Sequence, residues 1–545
     1  MLVAVLATFA VLIAIDPGGD YPGMPQGPGV TLDEMFNQEQ GVRLTRVVPT
    51  WVRGDLTLLE AFGDKDDLGK LPHPAGYHLP DHPPLGRYWL GTWHNIASEL
   101  APPENHPSPF VTVCARTGSA MAFGLTVFLV GFAAARWYGP LTGGMAACAL
   151  ALMPRVFGHA HLAALETVMG LTFTAAVIGM AACWSGNSPP SKKMAALTGV
   201  LMGLAFLTKI QAVLLLVPVI GWVLIRFRGK AVIPLLIWGG TGFVVFFCGW
   251  PWLWIDPWNH LLQYAQGATD RVPLKVFYFG SVYADGGDHP VPWHYACVMF
   301  LVTVPVLIHV LGGLGLFGWR NRESDSTVRH RQKAQLLLLA MCVAFPLILF
   351  SLPGVTVYDG TRLFLVIFPL WAIIVGKGGA AMFRAIHERW SQRTAVVITG
   401  CVLTLHIVSQ ALMQPCFLSY YNLAVGGLNG AERLGLEPTY WGDSISRELL
   451  DELAKAVPEG ATVDVAPVLH QFQLPTILAQ SPILRKHGIR LRAYDPKKND
   501  RVKYLMVFRR RADLPTNLDP PANSELIAEV RRQGVLLAAL YRFKE

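Results

Sequence analysis

LAALETVMGLTFTAAVIGMAACW, residues 162–184, decides the fold. It holds a single charge, Glu166, and has the ~20 apolar residues needed to cross ~30 Å of hydrocarbon. Comparable runs lie at 110–135, 141–154, 195–207, 213–225, 233–250, 295–317, 336–352, 363–382 and 395–413. With an apolar segment at 1–15, about eleven crossings are expected, some of them short. A composition of 52% hydrophobic and 15% charged residues, with a mean hydropathy of +0.38, points the same way. The chain reads as an α-helical polytopic membrane protein and not as an ordinary soluble domain.

Short cytoplasmic loops collect Lys and Arg. Counting alternately from a cytoplasmic N-terminus places Arg136, Lys192, Lys193, Arg226, Arg228, Lys230, the stretch from Arg320 to Lys333, and Arg384, Arg389 and Arg393 inside. The net charge of +8 is then topological signal, and no nucleic-acid partner is expected. The same count puts a first loop at 16–109, a second at 251–293 and the C-terminal tail outside the cell (inner) membrane. Segment 1–15 would reach ~22 Å as a helix. It is read as an anchor, because the charged start and small-residue cleavage site of a signal peptide are missing.

The eight cysteines lie almost entirely in the apolar runs without CxxC spacing, which fits buried apolar residues better than disulfides or a zinc knuckle. From 418 charged residues become frequent. Strand-like runs at 461–467, 504–508 and 535–541 and a helical stretch at 445–456 predict a soluble α/β domain over 418–545, after a membrane domain over 1–417.

Chemistry is expected where polar groups cluster outside. Asp33 and Glu34 follow the first apolar segment, and carboxylates at a bilayer are costly unless they face water or a partner. His73, His78 and His82 lead into Asp81-His82-Pro83-Pro84-Leu85-Gly86-Arg87, a turn stiffened by two prolines. His159 and His161 flank one residue close to Glu166. On a strand both rings would share a face, at a helix start they would not, so cavity lining is favoured over metal ligation. No metal ligand is assigned, and a divalent metal stays open as a cofactor. Trp250, Trp252, Trp254, Trp258 and Trp293 read as an interfacial belt in preference to a sugar-stacking surface.

The Asp33-Glu34 pair followed by His82-Pro83-Pro84-Leu85-Gly86 and a basic residue resembles the protein O-mannosyltransferases of glycosyltransferase family 39 and their relatives, the bacterial lipid A aminoarabinose transferases. The likeness extends to Pro154-Arg155 with Glu166, to Gly203-Leu204-Ala205-Phe206-Leu207-Thr208-Lys209 and to Tyr358-Asp359-Gly360-Thr361-Arg362. The stretch Trp250-Pro251-Trp252-Leu253-Trp254 and the Tyr420-Tyr421-Asn422, Gly426-Gly427 and Tyr440-Trp441-Gly442 segments are similar to bacterial members. The resemblance implies the GT-C membrane fold and a hexosyl or pentosyl unit taken from a polyprenyl-phosphate-linked donor at the outer face. The acceptor would be a protein, lipid or glycan. Arg87 stands where the eukaryotic enzymes carry lysine, and Glu166 where aspartate is more usual, so sugar and acceptor do not transfer with the fold.

A polyprenyl phosphate leaves as a stable anion and needs no general acid, unlike the alkoxide released in glycoside hydrolysis. One base and a set of cations suffice. Asp33 is the candidate base, acting with inversion at the anomeric carbon, and Glu34 orients or hydrogen-bonds nearby groups. Lys209, Arg362 and Arg87 are candidate phosphate ligands at the outer ends of spans. Against these stand structural readings: Arg362 as an interfacial anchor, Lys209 snorkelling to headgroups, Arg87 paired with Asp81. His82, His159, His161, Glu166, Tyr358 and Asp359 are candidates for the sugar or acceptor site. The alternatives are an oligosaccharyltransferase or ligase using a longer lipid-linked glycan, and a transporter of lipid-linked sugars that performs no chemistry.

Overall fold

Within hydrocarbon every backbone N–H and C=O must be satisfied inside the chain, and helices do this segment by segment. The computed structural model describes residues 1–69, 76–103, 106–269, 274–284, 289–317, 325–497 and 502–544, and is mostly helical. Among the described residues six helices are long and apolar enough to cross a membrane: Thr112–Tyr138, Leu165–Trp184, Ile210–Gly249, Ser326–Leu349, Ile367–Arg389 and Gln392–Ala411. Two bent pairs raise this to eight if each is one span, Pro140–Ala151 with Pro154–Ala160 at 70° and Tyr295–Thr303 with Val306–Phe317 at 108°.

The difference from about eleven has local causes. Pro154 and Pro305 lack the N–H that would continue a helix, and each stands at a bend. Run 195–207 belongs to the 15-residue helix Lys192–Phe206, and run 1–15 yields only the 11-residue helix Leu2–Leu12. Runs 213–225 and 233–250 fall in one 40-residue stretch, about twice what a crossing needs. It breaks at Arg228, whose φ is +52°.

The described residues of the 16–109 segment are largely helical, with long helices at Leu32–Val52 and Pro84–Leu100. These two cross in backbone contact at Gly41 and Gly91. A Cβ on Gly41 would lie 2.4 Å from the Arg87 carbonyl oxygen, and one on Gly91 would lie 2.2 Å from the Gly41 carbonyl. Only glycine permits that approach, and it fixes Asp33 and Arg87 relative to each other.

In the second outer segment Lys275–Tyr278 (β1) and Ser281–Ala284 (β2) form an antiparallel hairpin. The composition change at 418 precedes the sheet domain. Residues 417–446 still pack on membrane helices: Asn422 Nδ2 donates to the carbonyls of Leu301 and Val304 at 2.7 Å each, and Arg155 lies against the rings of Tyr421 and Tyr440. After the helix Arg447–Ala456 come Thr462–Ala466 (β3), Arg490–Ala493 (β4), Tyr504–Phe508 (β5), Ser524–Arg532 (β6) and Val535–Phe543 (β7). They form one sheet in the order β4-β3-β5-β7-β6. β4, β3 and β5 run parallel, while β7 pairs antiparallel with β5 and β6. The predicted strands correspond to β3, β5 and β7.

Candidate active site

The helix Leu32–Val52 starts with a capping box: Glu34 accepts from the Thr31 N–H at 2.8 Å and from its hydroxyl at 3.0 Å. Such a box satisfies two of the helix's unpaired N–H groups. Glu34 is fully buried, is gripped by Arg116 Nε and Nη2 at 2.7 and 2.8 Å, and accepts from the Ala163 N–H at 2.8 Å. Arg116 spends its other donors on the carbonyls of Ile15, Pro28 and Gly29 at 2.8–2.9 Å, so all five guanidinium N–H groups are used. Glu34 therefore anchors the helix and does not line the cavity described next.

Asp33, one residue earlier, projects elsewhere on the helix. It lines a cavity of about 290 Å³ with His82, Arg87, Glu166, Lys209, Tyr358 and Arg362. Its carboxylate pairs with the Arg362 guanidinium. Arg362 sits in a short turn ahead of the Ile367–Arg389 helix and also meets Glu166 at 2.7 Å and Asp359 at 3.3 Å. Lys209 Nζ donates to the same Glu166 oxygen, Oε1, at 2.6 Å. Glu166 Oε2 is buried and has no hydrogen-bond partner among the described residues. Asp33 is the open member: 31% of its side chain is exposed against 3% for Glu166, so an incoming hydroxyl reaches Asp33 more readily. Burial, with Arg510 nearby, pulls Arg362 down to about 9, still cationic at neutral pH.

Arg87 pairs with Asp81. The two make a bidentate contact at 2.7 and 2.9 Å, and Arg87 also donates to the Leu79 carbonyl at 2.8 Å. Burial pushes Asp81 up, but Arg87 outweighs it and holds the carboxyl at about 2. Arg87 thus shapes the cavity wall with its charge already matched. Asp81 and His82 also line an adjoining cavity of about 430 Å³.

Asp359 faces the C-terminal segment and its sheet domain. Its Oδ2 accepts from Trp441 Nε1 at 2.7 Å, and Arg510 lies 3.1 Å from Oδ1. Burial raises its pKa. Trp441 belongs to a segment the sequence likeness flagged without assigning it a role, whereas Arg510 had no signal beyond its place in the tail. Arg116 had one: a charge inside an apolar run.

The two histidines of the 159–161 pair do not converge on the cavity. His159 packs its edge against Trp441, 5.5 Å between centroids, and His161 bonds to the Phe157 carbonyl at 2.7 Å between the rings of Phe157 and Phe417. Among the described residues one group of three could hold a metal: Asp64, Asp67 and His260. His260 is oriented by the Trp252 carbonyl at 2.8 Å, and its Nε2 lies 3.3 Å from Asp67. The tryptophans split. Trp250 and Trp252 are fully buried with Tyr264 and Phe246, whereas Trp258 and Trp293 are exposed. The belt reading therefore fails for Trp250 and Trp252, which found apolar partners inside the protein. His73 lies outside the described residues.

No family model matches the chain, and no curated protein does. Among solved structures it is similar to ArnT from Cupriavidus metallidurans in the apo state, at 13% identity over 99% of this chain and 97% of that one, with a TM-score of 0.47. It is also similar to ArnT bound to undecaprenyl phosphate, at 13% identity, 99% and 96% coverage and a TM-score of 0.44. A third likeness is to the oligosaccharyltransferase of Archaeoglobus fulgidus, at 13% identity, 93% and 68% coverage and a TM-score of 0.42. Both kinds of protein are GT-C glycosyltransferases, the class that the sequence motifs resemble. At this distance the likeness assigns no activity.

Proposed function

We propose that the chain is an inverting glycosyltransferase that moves a sugar from a polyprenyl-phosphate donor to an acceptor hydroxyl at the extracytoplasmic face of the cell membrane. The observation that carries this reading is the convergence of Asp33, Glu166, Lys209 and Arg362 on one cavity beside the ends of spans.

Before any ligand enters, Arg362 neutralises Asp33 and shares Glu166 with Lys209. A donor phosphate competes for those two cations. As Arg362 turns to the phosphate, Asp33 loses its counter-ion and becomes more basic, so donor binding prepares the base. Asp33 then takes the acceptor proton while the acceptor oxygen bonds to the anomeric carbon. The bond from that carbon to the phosphate oxygen breaks, and polyprenyl phosphate leaves with the electron pair. Lys209 and Arg362 stabilise the charge it gains, in a site dry enough to strengthen the effect. Glu166 Oε2 is the acceptor atom left for a sugar hydroxyl.

Asp33→Asn should cut transfer from a labelled polyprenyl-phosphate sugar by about 10²–10⁴-fold while donor binding persists. Unchanged turnover would remove Asp33 as the base. The bent helix pairs favour one second reading, a transporter of lipid-linked sugars. Such a protein would move the donor across a proteoliposome without consuming it. Its charged site would be expected within the spans, whereas Glu166, Lys209 and Arg362 stand at or beyond helix starts and ends.

A further inference from the structure

The soluble domain turns the carboxyl ends of its parallel strands towards Asp33. Open parallel sheets bind ligands in the crevice outside those ends, where the connections leave room. Segments following β3, β4 and β5 here wall a chamber of about 590 Å³ that shares Asp33 and Arg362 with the smaller cavity. That volume is in the usual range for small-molecule sites, roughly 300–1,000 Å³.

The charges of the chamber are already matched. Among the described residues lining it, the cations are Arg362 and Arg510. Arg362 is held by Asp33, Glu166 and Asp359, and Arg510 by Asp359 at 3.1 Å and Asp513 at 2.8 Å. Three carboxylates, Asp33, Asp359 and Asp513, face two arginines. With Arg362 drawn to the donor phosphate, a phosphorylated acceptor would meet three carboxylates and Arg510, which Asp359 and Asp513 already hold. A ligand bearing hydroxyls would find carboxylate acceptors, together with the Trp441 and Tyr494 rings for the apolar face of a pyranose.

We propose that this chamber is the acceptor subsite and that it takes an uncharged, hydroxyl-bearing carbohydrate. The inference rests on the reading of Asp33 as the base, because the chamber opens onto that carboxylate.

The test uses the full chain in nanodiscs with a polyprenyl-phosphate analogue present to occupy Lys209 and Arg362, and saturation-transfer NMR on methyl pyranosides as neutral probes and the matching 6-phosphates as charged ones. A methyl pyranoside should bind, and its phosphate counterpart should bind no more tightly. Tyr494→Ala, which removes a ring, and Ala493→Trp, which fills space from an exposed position on the edge strand β4, should each weaken binding about tenfold or more with the melting temperature kept. Tighter binding of the phosphate, no binding of any neutral probe, or binding indifferent to both substitutions overturns the proposal. Asp33→Asn separates the two ideas: unchanged turnover in that variant ends the assignment of the base, yet leaves probe binding in the chamber to be read directly.

Discussion

The guanidinium of Arg362 lies over the ring of Trp441, 4.3 Å from its centroid, while the indole N–H donates to Asp359 at 2.7 Å. Trp441 and Asp359 both sit at positive φ, +56° and +53°, conformations that cost roughly 1–3 kcal/mol each and persist only where contacts over-determine them. Trp441 follows the last span and Asp359 precedes the Ile367–Arg389 helix, so the contact locks the tail to the cation beside Asp33.

Trp441→Phe keeps the ring and loses the N–H donor. One hydrogen bond to a charged group is worth about 1.5–3 kcal/mol, so kcat/KM should fall by up to about 10- to 150-fold. Trp441→Ala also loses the cation–π contact and should fall further. Equal losses in the two variants, measured with labelled donor, would show that the ring contributes nothing.

Lys209→Ala should weaken donor binding while leaving the fold largely intact, because Arg362 still neutralises Glu166. Glu166→Gln should behave differently. It releases two cations at once, so donor should bind at least as tightly while turnover drops. Isothermal titration with a polyprenyl-phosphate analogue and single-turnover kinetics separate the two. Donor affinity unaffected by Lys209→Ala would take that residue out of the phosphate site.

Arg116→Met strands Glu34 as an unpaired buried carboxylate, a change that typically costs about 3–5 kcal/mol. The apparent melting temperature in detergent should fall markedly, and adding Glu34→Gln should restore part of it. A single variant that melts like the parent chain would contradict the anchoring role.

Burial outweighs the two backbone N–H donors from Arg511 and Ala512 and pushes Glu437 up from the usual 4.5 to about 8. Between those values the folded chain holds a proton that the unfolded chain has lost. Stability from this group is therefore full below about pH 4.5, declines as pH rises, and stops declining above about 8. Melting of Glu437→Gln should show less loss between about pH 5 and 8 than the parent. Parallel pH profiles would mean that Glu437 is not a titrating group in that range.

Much of the site was legible because its residues stand where apolar helices begin or end: Glu166, Lys209 and Arg362 flank such runs, and Asp33 follows a cap. The pattern Thr31-x-x-Glu34 is itself a capping box, and would have separated the structural role of Glu34 from the exposed position of Asp33. The partner of Arg87 was narrowed to Asp81 but not decided, since phosphate ligation and pairing ask for the same guanidinium. The expected count of about eleven differs from the six to eight candidate spans among the described residues because hydropathy registers apolar length and not whether a proline or a residue at positive φ turns the helix within it.

By itself the sequence determined that the chain lives in a membrane, that an α/β unit follows, and that a few ionisable side chains stand at the ends of apolar runs. Those follow from local rules, since hydrocarbon demands apolar length and self-satisfied backbone, and strands alternate with helices by composition. Only the tertiary structure decided that Asp33 faces Arg362, that Arg116 saturates its five donors around Glu34, and that Arg510 and Trp441 reach Asp359 from the tail. These pairs are separated by tens to hundreds of residues, and their geometry is set by packing such as the Gly41–Gly91 contact, which no local pattern encodes.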